Sequence, residues 1–159
     1  MPESEPVPHL QDLLGPENVL LGLESEDRAS VVKVLFKNLA ETKRVSAGKV
    51  PSFAKLVGER EDMGSTALGG GLAVPHARCG LERPILAMAI LKGSMEGWNP
   101  LDGMPVRVVF LLLTPRTDDA CHRSLLKTIA GFSKIPPRMR ALSGSQTPED
   151  VLQVLREFA

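Results

Sequence analysis

No apolar run in the chain comes near the ~20 residues that a membrane-spanning helix requires. The longest, Val108 to Leu113, suits a buried strand. No excess charge of either sign is present: Lys+Arg and Asp+Glu both number 19, and the formal net charge is zero. A nucleic-acid surface normally shows as a basic excess, so that partner class is disfavoured. Two cysteines, Cys79 and Cys121, are too few for a disulfide framework. The opening Met-Pro-Glu-Ser-Glu-Pro lacks the features of a signal peptide. There is no internal repeat and no low-complexity linker. These absences point to a cytoplasmic protein with reduced thiols, no nucleic-acid partner and no membrane insertion.

What is present is ordinary for a soluble domain: 159 residues, 43% hydrophobic and 24% charged. Residues 1–9 carry three prolines and two glutamates and read as a flexible N-terminal tail, with His9 solvated at its edge. One domain is expected over residues 10–159. Val19 to Leu23 reads as a first strand. Ser25 or Asp27 can cap a helix whose stripe is Val31, Val32, Leu35, Phe36 and Leu39. A second helix is expected from Pro51 to Glu61, with Phe53, Leu56 and Val57 inward. Leu72 to Val74, Ile85 to Leu91 and Val106 to Leu113 read as strands. A further helix runs from Asp118 to Lys134, stopped by Pro136-Pro137, with Arg138 to Leu142 as a short turn. Thr147 and Pro148 open the last helix, whose apolar face is Val151, Leu152, Val154, Leu155 and Phe158. The alternation predicts a single α/β domain, a mixed β-sheet covered by helices on both faces.

Gly69-Gly-Gly-Leu-Ala-Val-Pro-His76 is the most informative segment. A glycine-rich turn leads into a short apolar strand that stops at Pro75, so His76 is expected at a strand end. An imidazole there titrates near neutrality and can act as a nucleophile. The bland alternative is a partly buried histidine bonded to a backbone carbonyl. His122 lies near the start of the helix after the long buried strand. Strand ends and helix starts gather at one edge of an α/β sheet, which allows the two imidazoles to meet. A helix N-terminus adds amide donors for an anion. Arg60 supplies a cation, and Ser65 and Thr66 supply hydroxyl donors. Together these suit a phosphoryl group bonded to one imidazole nitrogen.

Other chemistries are weaker. A metal would recruit His76, Cys79, Cys121 and His122, but His-x-x-Cys occurs once, without a paired half. Cys121 and His122 are adjacent and point to different faces of a helix. A nucleophilic Cys79 lacks a third, orienting group. The glycine run lacks the Gly-Lys-Ser/Thr ending of a P-loop and leads into a strand. Trp98 reads as core or as a packed loop anchor.

The stretch Arg60-Glu-Asp-Met-Gly-Ser-Thr-Ala-Leu-Gly-Gly-Gly-Leu-Ala-Val-Pro-His-Ala-Arg78 closely resembles the active-site signature of the IIA domains of the bacterial sugar phosphotransferase system. The branch is the fructose/mannitol type (type 2), which includes the nitrogen-related IIA proteins. Asp102-Gly-Met-Pro-Val106, Val109-Phe-Leu-Leu-Leu-Thr-Pro115 and His122-Arg-Ser-Leu-Leu-Lys-Thr-Ile-Ala130 are also similar, so the resemblance runs from about residue 10 to the C-terminus. Lys134-Ile-Pro-Pro-Arg138 departs from the pattern, on a segment that bears on the partner surface.

The resemblance implies that His76 is a phosphorylated nucleophile. It would accept a phosphoryl group from the histidine-containing phosphocarrier protein and pass it to a IIB domain or a regulated target protein. His122 would stabilise the phosphoryl group, and Arg60 would offset its charge. No metal or organic cofactor is implied. The solitary domain format and the Arg60-to-His76 stretch favour the nitrogen-related branch over sugar transport. The alternative from another class is a non-catalytic interaction module of the same fold, which the presence of both histidines disfavours.

Overall fold

The computed structural model describes residues 7–25, 27–95, 98–100 and 102–157. Residues 1–6 of the expected tail and Phe158 of the last apolar face lie outside the described residues. Strand β1 (Val19–Leu23) follows a single turn of helix, α1 (Leu10–Leu13). Helices α2 (Arg28–Glu41) and α3 (Val50–Asp62) come next. Strands β2 (Ala67–Gly69), β3 (Leu72–Ala73), β4 (His76–Cys79), β5 (Ile85–Met95) and β6 (Val106–Pro115) complete the sheet. Helices α4 (Asp119–Ser133), α5 (Pro136–Ser143) and α6 (Pro148–Glu157) close the chain.

The sheet is mixed, in the order β1-β5-β6-β3-β2, with β4 also paired to β6. β5 and β6 run antiparallel, while β1 is parallel to β5, and β3 and β4 are parallel to β6. The two long strands are buried on both faces, which is why they read as continuous apolar runs and not as an alternation. Val108, Phe110 and Leu112 of β6 face one core with Leu125, Ile129 and Phe132 of α4 and residues of α5 and α6. Val109, Leu111 and Leu113 face the other, with Val31, Leu35 and Phe36 of α2 and Phe53 and Val57 of α3. Helices therefore cover both faces, as the alternation of elements predicts.

Caps explain the helix starts. Asp27, not Ser25, caps α2: its Oδ1 accepts from Ser30 N at 2.8 Å. Asp118 caps α4 through Cys121 N at 3.0 Å. Thr147 and Asp150 bond reciprocally at the start of α6. Pro136-Pro137 does stop α4, but it also begins a full helix, α5, rather than preceding a short turn. Proline suits the first helical positions, where the missing N–H would have no partner.

The largest correction concerns the glycine segment. The turn closes a hairpin between β2 and β3, and β2 carries no apolar alternation long enough to signal it. His76 does not end a strand. It begins β4, because pairing along β6 resumes after Pro75: Leu112 N donates to Pro75 O at 3.0 Å, and His76 lies opposite Leu112. Proline removes a donor but keeps its acceptor, so the neighbouring strand still finds a partner there.

The hairpin turn is anchored. Asp102 accepts from Gly70 N at 2.8 Å and from Met104 N at 3.0 Å. Gly70 has φ of +65°, and a Cβ on it would run into the carbonyl oxygen of Ser133 at the end of α4. We predict that Gly70→Ala lowers stability by more than ~1 kcal/mol, read as a fall in the urea midpoint. Gly80→Ala, where a Cβ meets nothing within 4 Å, stays within ~0.5 kcal/mol of wild type.

Candidate functional site

His76 and His122 meet. Their ring centroids are 5.4 Å apart and the planes are tilted by 52°. β4 supplies His76 as its first residue, and the first turn of α4 supplies His122. Both elements pack against the C-terminal half of β6, which fixes their separation.

His76 is 8% exposed. Its Nδ1 lies 2.7 Å from Val74 O. A carbonyl oxygen only accepts, so Nδ1 carries the proton and the neutral ring keeps its lone pair at Nε2. Burial lowers the pKa of His76, opposed by the Val74 carbonyl and Glu61 and assisted by the Arg60 cation. His122 is half-buried, and Thr114 Oγ1 sits 2.6 Å from its Nδ1. Burial, with smaller contributions from His76 and Arg78, lowers the His122 pKa to about 4, against a raising effect of Asp119. Desolvation thus outweighs the neighbouring carboxylates in both rings. Each is neutral at pH 7.

Arg60 lies in the last turn of α3 and donates to Gly64 O at 2.8 Å. Its charge is felt at His76. From sequence, Ser65 and Thr66 are candidate hydroxyl donors to an anion; in the fold, those protons are already engaged. Ser65 Oγ donates to Trp98 O, and Thr66 Oγ1 donates to Glu61 Oε1 at 2.9 Å. Both hydroxyls therefore shape the loop ahead of the glycine hairpin. Trp98 is a buried loop anchor, as its sequence context suggests.

Three residues near the histidines are absent from the sequence candidates. Glu61 accepts from Thr66 N, Thr66 Oγ1 and Trp98 Nε1, tying α3 to two loops. Its place beside Arg60 was the available signal. Arg78, two residues after His76 on the same strand, pairs with Asp119 on α4. Thr114 is the polar residue that ends the run Leu111-Leu-Leu-Thr-Pro115, and a lone hydroxyl in so apolar a strand is itself a cue. The thiols contribute little at neutral pH: burial pushes Cys79 up to about 11. Among the described residues, no three His, Cys, Asp or Glu side chains gather as a metal site.

This geometry pairs a neutral imidazole that has a bare Nε2 with a second imidazole and a cation, and a family profile matches the chain that carries it. The profile of "Phosphoenolpyruvate-dependent sugar phosphotransferase system, EIIA 2" covers residues 12–158. The chain belongs to this family. It is 30% identical over 147 residues to a nitrogen regulatory protein of Pseudomonas aeruginosa, covering 92% of this chain and 94% of that one. The crystal structure of the nitrogen regulatory protein IIA-Ntr from Neisseria meningitidis superposes with a TM-score of 0.82 at 24% identity, over 92% of this chain and 98% of that one. Enzyme IIA-mannitol of Escherichia coli, solved in complex with phosphorylated enzyme IIB-mannitol, has the same fold. Its TM-score is 0.72 at 17% identity, over 91% of this chain and 99% of that one.

The lowered histidine pKa values give a pH prediction. An unfolded histidine binds its proton near the ordinary 6.5, whereas folded His122 holds off until about 4. The unfolded chain therefore binds more protons in that window, and stability falls as pH drops from 6.5 toward 4. Urea midpoints measured across this range should decline with acid, and His122→Asn, which cannot titrate, should flatten the decline.

Proposed function

We propose that this phosphotransferase IIA protein is a phosphohistidine carrier with His76 as its nucleophile. The observation that supports this best is the His76 Nδ1 bond to Val74 O, which leaves Nε2 bare and neutral beside His122 and Arg60. Phosphoryl transfer depends on in-line placement and charge stabilisation more than on covalent machinery. The Nε2 lone pair forms the new N–P bond while the donor's N–P bond breaks, and the departing imidazole nitrogen takes the electron pair. The proton stays on Nδ1, hydrogen-bonded to Val74 O, throughout. Arg60 offsets charge on the phosphoryl oxygens, and His122 holds them against the first ring. No metal or organic cofactor enters.

The donor in this reading is the histidine-containing phosphocarrier protein. The acceptor is a IIB domain or a regulated target protein. The nitrogen-related role is favoured over sugar transport because the Pseudomonas aeruginosa nitrogen regulatory protein matches across nearly its whole length. The reading places the protein in the cytoplasm. Among the described residues, no helix is long and apolar enough to cross a membrane.

Intact-protein mass, taken after incubation with phosphoenolpyruvate, the general phosphotransferase enzyme and the phosphocarrier protein, tests the reading. Wild type should gain one acid-labile phosphoryl group, His76→Ala none, and His122→Ala should label slowly. A folded wild-type protein that gains nothing from a competent donor would instead be a non-catalytic interaction module of this fold.

A further inference from the structure

Thr114 is fully buried near the C-terminal end of β6, at 0% exposure. Among the described residues, the only partner of its hydroxyl is His122 Nδ1, at 2.6 Å. A hydroxyl and an imidazole nitrogen can share a hydrogen bond in either direction. If Nδ1 held the ring proton, it would donate to Oγ1. The threonine O–H would then be buried with no acceptor, which is a costly state for a donor. If the hydroxyl donates to a bare Nδ1, both groups are satisfied and the ring proton resides on Nε2.

We propose that Thr114 is a positioning residue that fixes His122 as the Nε2–H tautomer, so that this ring offers a donor to a phosphoryl oxygen held between the two imidazoles. The pair is then complementary. His76 donates from Nδ1 to Val74 O and presents a lone pair at Nε2. His122 accepts at Nδ1 from Thr114 and presents an N–H at Nε2. Both Nε2 atoms lack a protein hydrogen-bond partner among the described residues. Two rings in the same tautomer would offer two nucleophiles and no donor, or two donors and no nucleophile. Distinct backbone and side-chain partners on the two Nδ1 atoms break that symmetry. The tautomer follows from the buried hydroxyl alone; its use in transfer rests on the reading of His76 as the phosphoryl acceptor.

The test is a long-range proton–nitrogen correlation spectrum of the imidazoles in uniformly 15N-labelled, unphosphorylated protein at pH 7. His122 should show a bare Nδ1 and a protonated Nε2. Thr114→Val keeps the β-branched shape and removes the hydroxyl. It should pull the His122 nitrogens away from the single-tautomer pattern and slow phosphoryl acceptance about tenfold. Thr114→Ser restores the hydroxyl and should behave as wild type. A protonated Nδ1 on His122 in the wild type overturns the proposal, whatever the variants do. So does a Thr114→Val protein whose ring nitrogens and rate both match wild type. If wild type takes up no phosphoryl group, the carrier reading fails while the spectrum still decides the tautomer.

Discussion

Proline accepts a hydrogen bond but cannot donate one, and this asymmetry at Pro75 organises the site. The bond from Leu112 N to Pro75 O bridges the interval between β3 and β4, which both run parallel to β6 in the same register, so the ladder along that neighbour continues past the proline. Without that acceptor, β6 would face a gap in its ladder next to two buried cores, and an unpaired buried amide is costly. With it, His76 is held opposite Leu112, and Thr114 lies two residues further along β6, opposite Arg78. One strand therefore sets the positions of His76 and of the hydroxyl that meets the second imidazole. The buried faces of β6 keep that strand rigid, since cores packed on both sides leave it no direction in which to relax.

The electrostatics of the site follow from burial more than from any charged partner. Arg60, Arg78 and Arg123 surround the two rings, and Glu61 and Asp119 oppose them. The carboxylates are committed elsewhere: Glu61 holds three donors, and Asp119 pairs with Arg78. Neither acid is in direct hydrogen-bonded contact with a ring, so desolvation prevails and the histidines remain neutral. Neutrality suits the proposed role of His76, because a protonated Nε2 has no lone pair to give. The same arrangement leaves net positive charge around the space between the rings, which suits an incoming phosphoryl group.

Much of this was legible in the sequence, and the failures share a cause. The long strands, α2, α3, α4 and α6 follow from apolar periodicity and caps, signals that lie within a dozen residues. The pairing of His76 with His122 follows from the general tendency of strand ends and helix starts to converge at a sheet edge. What failed depended on contacts that only the folded chain makes, which neither apolar periodicity nor helix caps announce. β2 is a strand only because β3 pairs with it across the glycine turn. His76 begins a strand, rather than ending one, only because β6 is there to receive it. Ser65 and Thr66 read as free hydroxyls until Trp98 and Glu61 are seen to accept from them. Thr114 showed as an oddity in an apolar run, but its partner lies eight residues on, across a turn and a helix cap.

The ring of His76 is steadied by a carbonyl only two residues behind it in the same chain. Its aim is thus written into a three-residue stretch, Val74-Pro75-His76, and asks little of distant side chains. A chain that shares 30% of its residues with a nitrogen regulatory protein can drift widely in its helices and cores without turning this ring. The first ring is locally autonomous, whereas the partner ring depends on a contact between a strand and a helix. Sequence divergence should therefore reach the second histidine's surroundings before it reaches the first.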